Sequence, residues 1–387
     1  MLHFDFGLGL GIRNKLSHSL ALGQTEEARS YLSSGYFVIF IQIVILATIF
    51  FTVNIWLDWR SFLNAPFIEK EVLKNTVLVL SISVFLTFFL NIINSVFYAK
   101  QKPAYVSFIT FIGAILSLLL VLLVKLLGGG FFWVGASISI ASVVIYTIVN
   151  IFAYKLFYRD LLPNIRCVSL GKIKSVGVLG IEFFVLQLGV LVMLNTSNIL
   201  MAKLYSPIYV TDYHVLIKYY SIILIVSSLV LGPMWSAITK YYASKNFPLL
   251  RKAFLLLLVF HLFLIPLIFL MFKLSNQVIP IWTNCELEAS NYLNPAIAIY
   301  TVIMLWNNLF ATFLNGMSIL RMQMLTSFVG ILIFASSVWF LSVFLAMGPE
   351  SIVLAATLSF LPFSVFGSIV TWKHVFNSRK RQKMLLL

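Results

Sequence analysis

Apolar residues in this chain fall in long unbroken blocks separated by short polar stretches, and that spacing predicts ten helices. They run over Ser33 to Leu57, Asn75 to Phe97, Tyr105 to Leu127, Phe132 to Tyr154 and Val176 to Leu204, then Asp212 to Ile238, Ala253 to Leu274, Asn294 to Leu320, Met322 to Met347 and Ser351 to Trp372. Each is long enough to cross about 30 Å of hydrocarbon at about 1.5 Å per residue. The blocks are continuous rather than alternating, which points to helices and not to a barrel. The reading is an all-α polytopic membrane protein.

Composition agrees, with 61% apolar and 10% charged residues among 387, far from the soluble norm. A net charge of +15 raises the question of nucleic acid, but the positions of the charges answer it. Twenty of the 27 Lys and Arg residues lie on one side of the predicted topology, including Arg13, Lys15, Arg29, Lys100, Lys102, Lys155 and Arg159. The positive-inside rule makes that side cytoplasmic and puts both termini there. The surplus is therefore topological, and no nucleic-acid partner is expected. Cys167 and Cys285 fall in loops on opposite sides, so they cannot pair within the chain and have no metal-ligand spacing.

Sliding the chain on itself by about 223 residues sets Gly9-Leu10-Gly11 near Gly232-Pro233-Met234 and Gly23 on Asn246. With a two-residue slip, Asn94 meets Asn315 and Lys100 meets Arg321. Two pseudo-symmetric lobes follow, and parallel repeats of six helices are a known transporter plan. The second lobe holds six helices and the first only four. The expected organisation is a helix end and cytoplasmic loop over 1–32, an N-terminal lobe over 33–154, a cytoplasmic linker over 155–175, a C-terminal lobe over 176–372 and a basic tail over 373–387. Equivalence of the lobes would place about 47 residues, two helices, before Met1; a ten-helix protein is the alternative.

The string Asp5-Phe6-Gly7-Leu8-Gly9-Leu10-Gly11-Ile12-Arg13-Asn14-Lys15 resembles the end of the second helix and the first cytoplasmic loop of Wzx-type polysaccharide transporters. These O-antigen flippases belong to the multidrug/oligosaccharidyl-lipid/polysaccharide exporter superfamily. Phe183 to Gln187, Asn195 to Ala202, Pro233 to Ala237 and Leu314-Asn315-Gly316 with Gln323 agree in order. The resemblance implies a twelve-helix MATE-like plan with its first lobe incomplete. It also implies an oligosaccharide on undecaprenyl pyrophosphate as cargo, flipped across the bacterial cytoplasmic membrane by lobes that expose a cavity to each side in turn. A polysaccharide polymerase and a chain-length regulator become candidate partners, beside membrane lipids. A multidrug/cation antiporter of the same superfamily and a non-transporting assembly scaffold are the other readings.

Charges inside the spans are few. Lys218 lies six residues into its helix and is a candidate pyrophosphate contact, against snorkelling to the interface. Glu182 is a candidate for ion coupling or for pairing with a basic residue at the interface. Asn91 and Asn94 share a face, as do Asn308 and Thr312, and Gln187, Asn195, Asn198 and Asn315 add further amides. Sugar contact and interhelical hydrogen bonding both fit such residues. His261 reads as a packed neutral imidazole. Arg13, Lys15 and Arg29 are candidates for gathering a lipid head group at the cytoplasmic entrance, or for anchoring alone. No phosphate-binding loop, HExxH, metal cluster or nucleophile elbow is present in the sequence, so no enzyme activity, cofactor or metal is expected.

Overall fold

The computed structural model describes residues 6–205, 207–284 and 292–376. Among them, ten helices are long and apolar enough to cross a membrane, in the order and near the positions that the apolar blocks predict. Cys285 and most of the basic tail lie outside the described residues.

The amino-terminal stretch departs from the expected loop. It forms a helix, α1 (Leu8–Ala21), entered through Gly7 at φ +70° and left through Gly23 at φ +73°. Glycine inside a helix costs about 1 kcal/mol relative to alanine, and tight packing compensates at Gly11. A Cβ there would stand 3.1 Å from the Val176 carbonyl oxygen and 3.2 Å from the Gly180 nitrogen. The glycines thus let two helices touch along their backbones, as small residues do in membrane bundles. Leu8, Ile12 and Leu16 recur at helical spacing and are buried.

Helix α2 (Thr25–Trp56) therefore starts eight residues earlier than its apolar block, with Glu26 and Glu27 in its first turn, where the helix dipole favours them. A short helix α3 (Trp59–Phe62) follows, capped by the Asp58 side chain, which accepts from the Arg60 amide. The second predicted span is interrupted at Asn91 and Ile92, giving α4 (Lys70–Leu90) and α5 (Ile93–Ala99). Next come α6 (Pro103–Leu126) and α7 (Phe131–Phe152), the latter ending in a π-helical turn over Ala153–Phe157.

Residues 155–175, expected as a linker, are ordered against α2. Four side chains on adjacent turns of α2 hold their backbone. Arg29 Nε donates to the Leu162 oxygen (2.8 Å) and Ser30 Oγ to the Cys167 oxygen (2.8 Å). Ser33 Oγ and Ser34 Oγ accept from the amides of Asn164 (3.1 Å) and Ser169 (3.2 Å).

The remaining helices are α8 (Leu170–Leu204), α9 (Pro207–Ala243), α10 (Phe247–Thr283), α11 (Leu293–Gly316), α12 (Arg321–Val338) and α13 (Glu350–Phe376). The chain divides into two compact units, with the change at Ile181/Glu182 inside α8 rather than at the linker. In the first, Ile12, Leu32, Ile93, Val96, Leu161 and Val176 share one core. The second holds two clusters, one around Met201, Leu216, Tyr220 and Leu305, the other around Ile238, Phe254, Phe313 and Leu314.

The units carry a common local plan. Gly23 (φ +73°) and Lys245 (φ +54°) reverse the chain before α2 and α10, and the next residues, Gln24 (φ −87°, ψ 71°) and Asn246 (φ −83°, ψ 71°), enter the helices almost identically. The equivalence is thus Gly23 with Lys245, one residue from the match made on residue type. Asn246 instead caps its helix, its Oδ1 accepting from the Leu249 amide. Ser95 Oγ donates to the Gly9 oxygen (2.9 Å), and at the matching place Gly316 lies so close that a Cβ would be 3.0 Å from the Trp235 oxygen.

Candidate functional site

Polar groups within an apolar bundle are satisfied by one another or by something the bundle carries. Sorting them by unit separates those two cases.

In the first unit, the break between α4 and α5 organises a network. The Asn94 amide bonds to the Asn91 oxygen (3.0 Å), a three-residue step, and the Leu90 carbonyl is met instead by the Asn150 side chain of α7 (2.9 Å). Asn150 Nδ2 also reaches the Tyr146 carbonyl (2.7 Å), while its Oδ1 accepts from Tyr36 (3.3 Å). Tyr36 and Tyr154 share a bond of 3.0 Å. Asn94 is buried, and its Nδ2 donates to the Tyr146 hydroxyl (2.9 Å) and to the Asn91 side chain. Asn91 and Asn94 thus do share a face, and the structure brings them together with Tyr146.

The three basic entrance candidates lie in different settings. Arg13 is 5% exposed, with its guanidinium 4.2 Å from the centre of the Tyr98 ring, so it is not the surface group expected from a loop. Burial draws its pKa from 12.5 down to about 9, opposed by Tyr98, which leaves it charged near neutrality. Lys15 lies 5.9 Å from the ring of Tyr31, whose other neighbour is Lys172 at 4.0 Å. Lys172 is also ion-paired with Glu27. Arg29 is engaged with the Leu162 carbonyl.

In the second unit, Lys218 is exposed, not buried as expected from its depth in the apolar run. Its neighbours Tyr219 and Tyr220 take the inward positions, donating to the Met271 carbonyl (2.9 Å) and to Asn294 Oδ1 (2.7 Å). His214, one turn before Lys218, is exposed on the same side. On α8, Asn195 is exposed and donates back to the Leu191 carbonyl (2.8 Å). Gln187 and Glu182 are half-buried, and no hydrogen bond or ion pair engages their side chains among the described residues. Asn198 is half-buried, and its Oδ1 is a buried acceptor with no protein donor.

Asn308 is half-buried, and its backbone oxygen takes the Thr312 hydroxyl (2.8 Å). Its neighbour Asn307 is the buried member of the pair. Asn307 accepts from Ser364 Oγ (2.7 Å) and donates to the Phe360 carbonyl (3.3 Å), on either side of Pro362 in α13. Asn315 is taken up by Gln323 Nε2 (2.8 Å). His261 is buried: Nδ1 lies 2.7 Å from the Leu257 carbonyl, which can only accept, so Nδ1 carries a hydrogen, and Nε2 lies 2.9 Å from Ser227 Oγ. This is the packed imidazole expected.

The apolar pattern puts Asp212 at the mouth of its helix. Because α9 begins at Pro207, Asp212 lies in the second turn and is buried. Next to it in sequence, Tyr213 lines a small cavity with Ser197, Tyr300, Ile352, Val353 and Ala356. Among the described residues no three His, Cys, Asp or Glu side chains are grouped to hold a metal ion.

No protein-family profile matches the sequence, and no curated protein matches it. Solved structures do. A MATE in the bent conformation superposes with a TM-score of 0.82 over 97% of this chain and 85% of that one, at 15% identity. An outward-facing multidrug resistance MATE family transporter of the MOP superfamily gives 0.78 over 98% and 86%, at 14% identity. The Vibrio cholerae MATE transporter VcmN in the bent form gives 0.77 over 97% and 85%, at 14%. Likeness at this level of identity establishes the fold: the chain has the all-helical MATE architecture.

Proposed function

We propose that this chain is a multi-pass transporter of the cytoplasmic membrane whose cargo is an oligosaccharide linked to undecaprenyl pyrophosphate. Its fold is that of solved MATE transporters. The observation that carries the choice of cargo is the set of outward or unengaged polar side chains on two apolar helices of the second unit. Asn195, His214 and Lys218 are exposed, and Gln187 and Asn198 retain free amide capacity. Polar groups presented to hydrocarbon are costly, so these side chains suit a cargo that offers hydroxyls, amides and phosphate within the membrane. In this reading Lys218 meets the pyrophosphate and the amides of α8 meet sugar. Asn94, which is buried, and Asn315, which Gln323 takes up, shape the units that carry the contacts. Both termini are cytoplasmic, and a polysaccharide polymerase acts on the flipped product.

Multidrug/cation antiport is the second reading, favoured by two observations. One solved neighbour is described as a multidrug resistance transporter, and Asp212 is a carboxylate buried within a span.

Proteoliposomes separate the two. With a fluorescent undecaprenyl-pyrophosphate oligosaccharide in both leaflets, the flippase exposes the inner pool to an impermeant reductant. The Lys218→Ala chain, inserted to the same level, should do so at least about tenfold more slowly, the loss of one charge-assisted contact. Exposure no faster than in protein-free vesicles, together with ethidium uptake driven by an ion gradient, would select the antiporter instead.

A further inference from the structure

The turn between α5 and α6 gathers cations around aromatic rings. Lys100 and Lys102 flank Gln101, whose φ of +59° reverses the chain. Both ammonium groups lie over the same ring, Tyr158, at 5.9 and 5.8 Å from its centre, and Lys102 is also 5.6 Å from that of Tyr105. Phe97 stacks on Tyr105 at 5.6 Å and meets Tyr158 edge-on at 6.0 Å, which fixes the platform. One carboxylate, Asp160, stands 3.9 Å from Lys100. Lys102 is exposed and pairs with no carboxylate among the described residues. Lys155 and Arg159, on either side of Tyr158 in sequence, are exposed as well.

From this turn α6 leads away with an apolar side uncovered. Tyr105 is 51% exposed, Phe108 61% and Phe111 60%, and the side continues through Leu118 and Leu122. At 3.6 residues per turn these positions fall on one flank of the helix. Positive-inside anchoring needs basic residues near a helix end, but it does not need two ammonium groups to converge on one ring above a continuous apolar strip.

We infer that the α5–α6 turn is a binding site for an anionic phospholipid of the adjoining leaflet. The head-group phosphate sits between Lys100 and Lys102, and an acyl chain lies along Phe108 and Phe111. Basic pockets between helices recognise anionic head groups in this way. The site is complete within the first unit and holds whichever cargo the protein moves.

The test uses the full chain in phosphatidylcholine vesicles doped with a photoactivatable phosphatidylglycerol, with adducts mapped by mass spectrometry. Adducts should fall on residues 103–111 and be displaced by unlabelled phosphatidylglycerol. A lysine near an anionic surface is worth roughly fivefold in affinity, so Lys100→Gln with Lys102→Gln should weaken displacement about 25-fold. The arginine pair at the same positions should retain it. Lys102→Gln alone, at an exposed side chain without an ion pair, gives about fivefold and serves if the double variant does not fold. Equal labelling of this segment by photoactivatable phosphatidylcholine, or unchanged displacement in the glutamine variants, overturns the assignment.

Discussion

Asn150 acts as a hinge pin between a broken helix and a whole one. Its amide closes the Leu90 carbonyl left by the step at Asn91 and Ile92, and its oxygen takes the Tyr36 hydroxyl. Asn150→Ala takes this donor from the Leu90 carbonyl, at about 1–3 kcal/mol for a group left unpaired, while Tyr36 keeps its bond to Tyr154. A clear fall in the melting temperature of the purified protein in detergent should follow. An unchanged value would show that the Leu90 carbonyl has another donor. Asn91, Asn94 and Asn315 are legible from spacing alone, because amides in an apolar run need partners. Asn150 and Asn307 are not. In the Asn307-Asn308 pair, spacing cannot tell which member turns toward α13, since the phase of a helix is set by its neighbours. Lys218 shows the same limit: an apolar run fixes depth along the helix and says nothing of the side it faces.

At the scale of elements, the ten long helices follow directly from the apolar blocks. Helix α1 does not, because three glycines and two basic residues within eleven positions read as a loop. Its helicity rests on the Leu8, Ile12 and Leu16 stripe and on the close approach at Gly11, a signal that the glycines mask in the sequence. The contrast between two glycines tests this. Gly11→Ala sets a methyl 3.1–3.2 Å from the backbone of α8, an overpacking worth about 1–3 kcal/mol. Gly177, on α8 itself, has open space around its Cβ direction, so Gly177→Ala should be neutral or gain up to about 1 kcal/mol from helix propensity. Thermal unfolding of the two variants side by side checks the sign. Equal effects would mean that Gly11 is not in a tight contact.

For the whole molecule, the division into two units is legible as a weak internal repeat, but the division point is not. Residues 155–175 look like a free connector, with Pro163 and several charges. The side chains of Arg29, Ser30, Ser33 and Ser34 make them part of the first unit. Trypsin should therefore cut slowly at the exposed Arg159 and Arg166 in the folded protein, since cleavage needs local opening. Replacing Ser30, Ser33 and Ser34 together by alanine should raise the rate several-fold. Rapid cleavage of the unaltered chain at these arginines would overturn the ordered connector.

The chain reversals before α2 and α10 explain why the repeat is so faint in residue type. One copy makes the left-handed turn with glycine and the other with lysine, although for lysine that conformation is strained by about 1 kcal/mol or more. What the two reversals hold in common is a torsion angle, which is not tied to one residue type. Comparing letters at such a place drifts by one, as between Gly23 and Asn246, while comparing dihedrals restores the register. The likeness of the two reversals lies in where the backbone turns rather than in which side chain turns it.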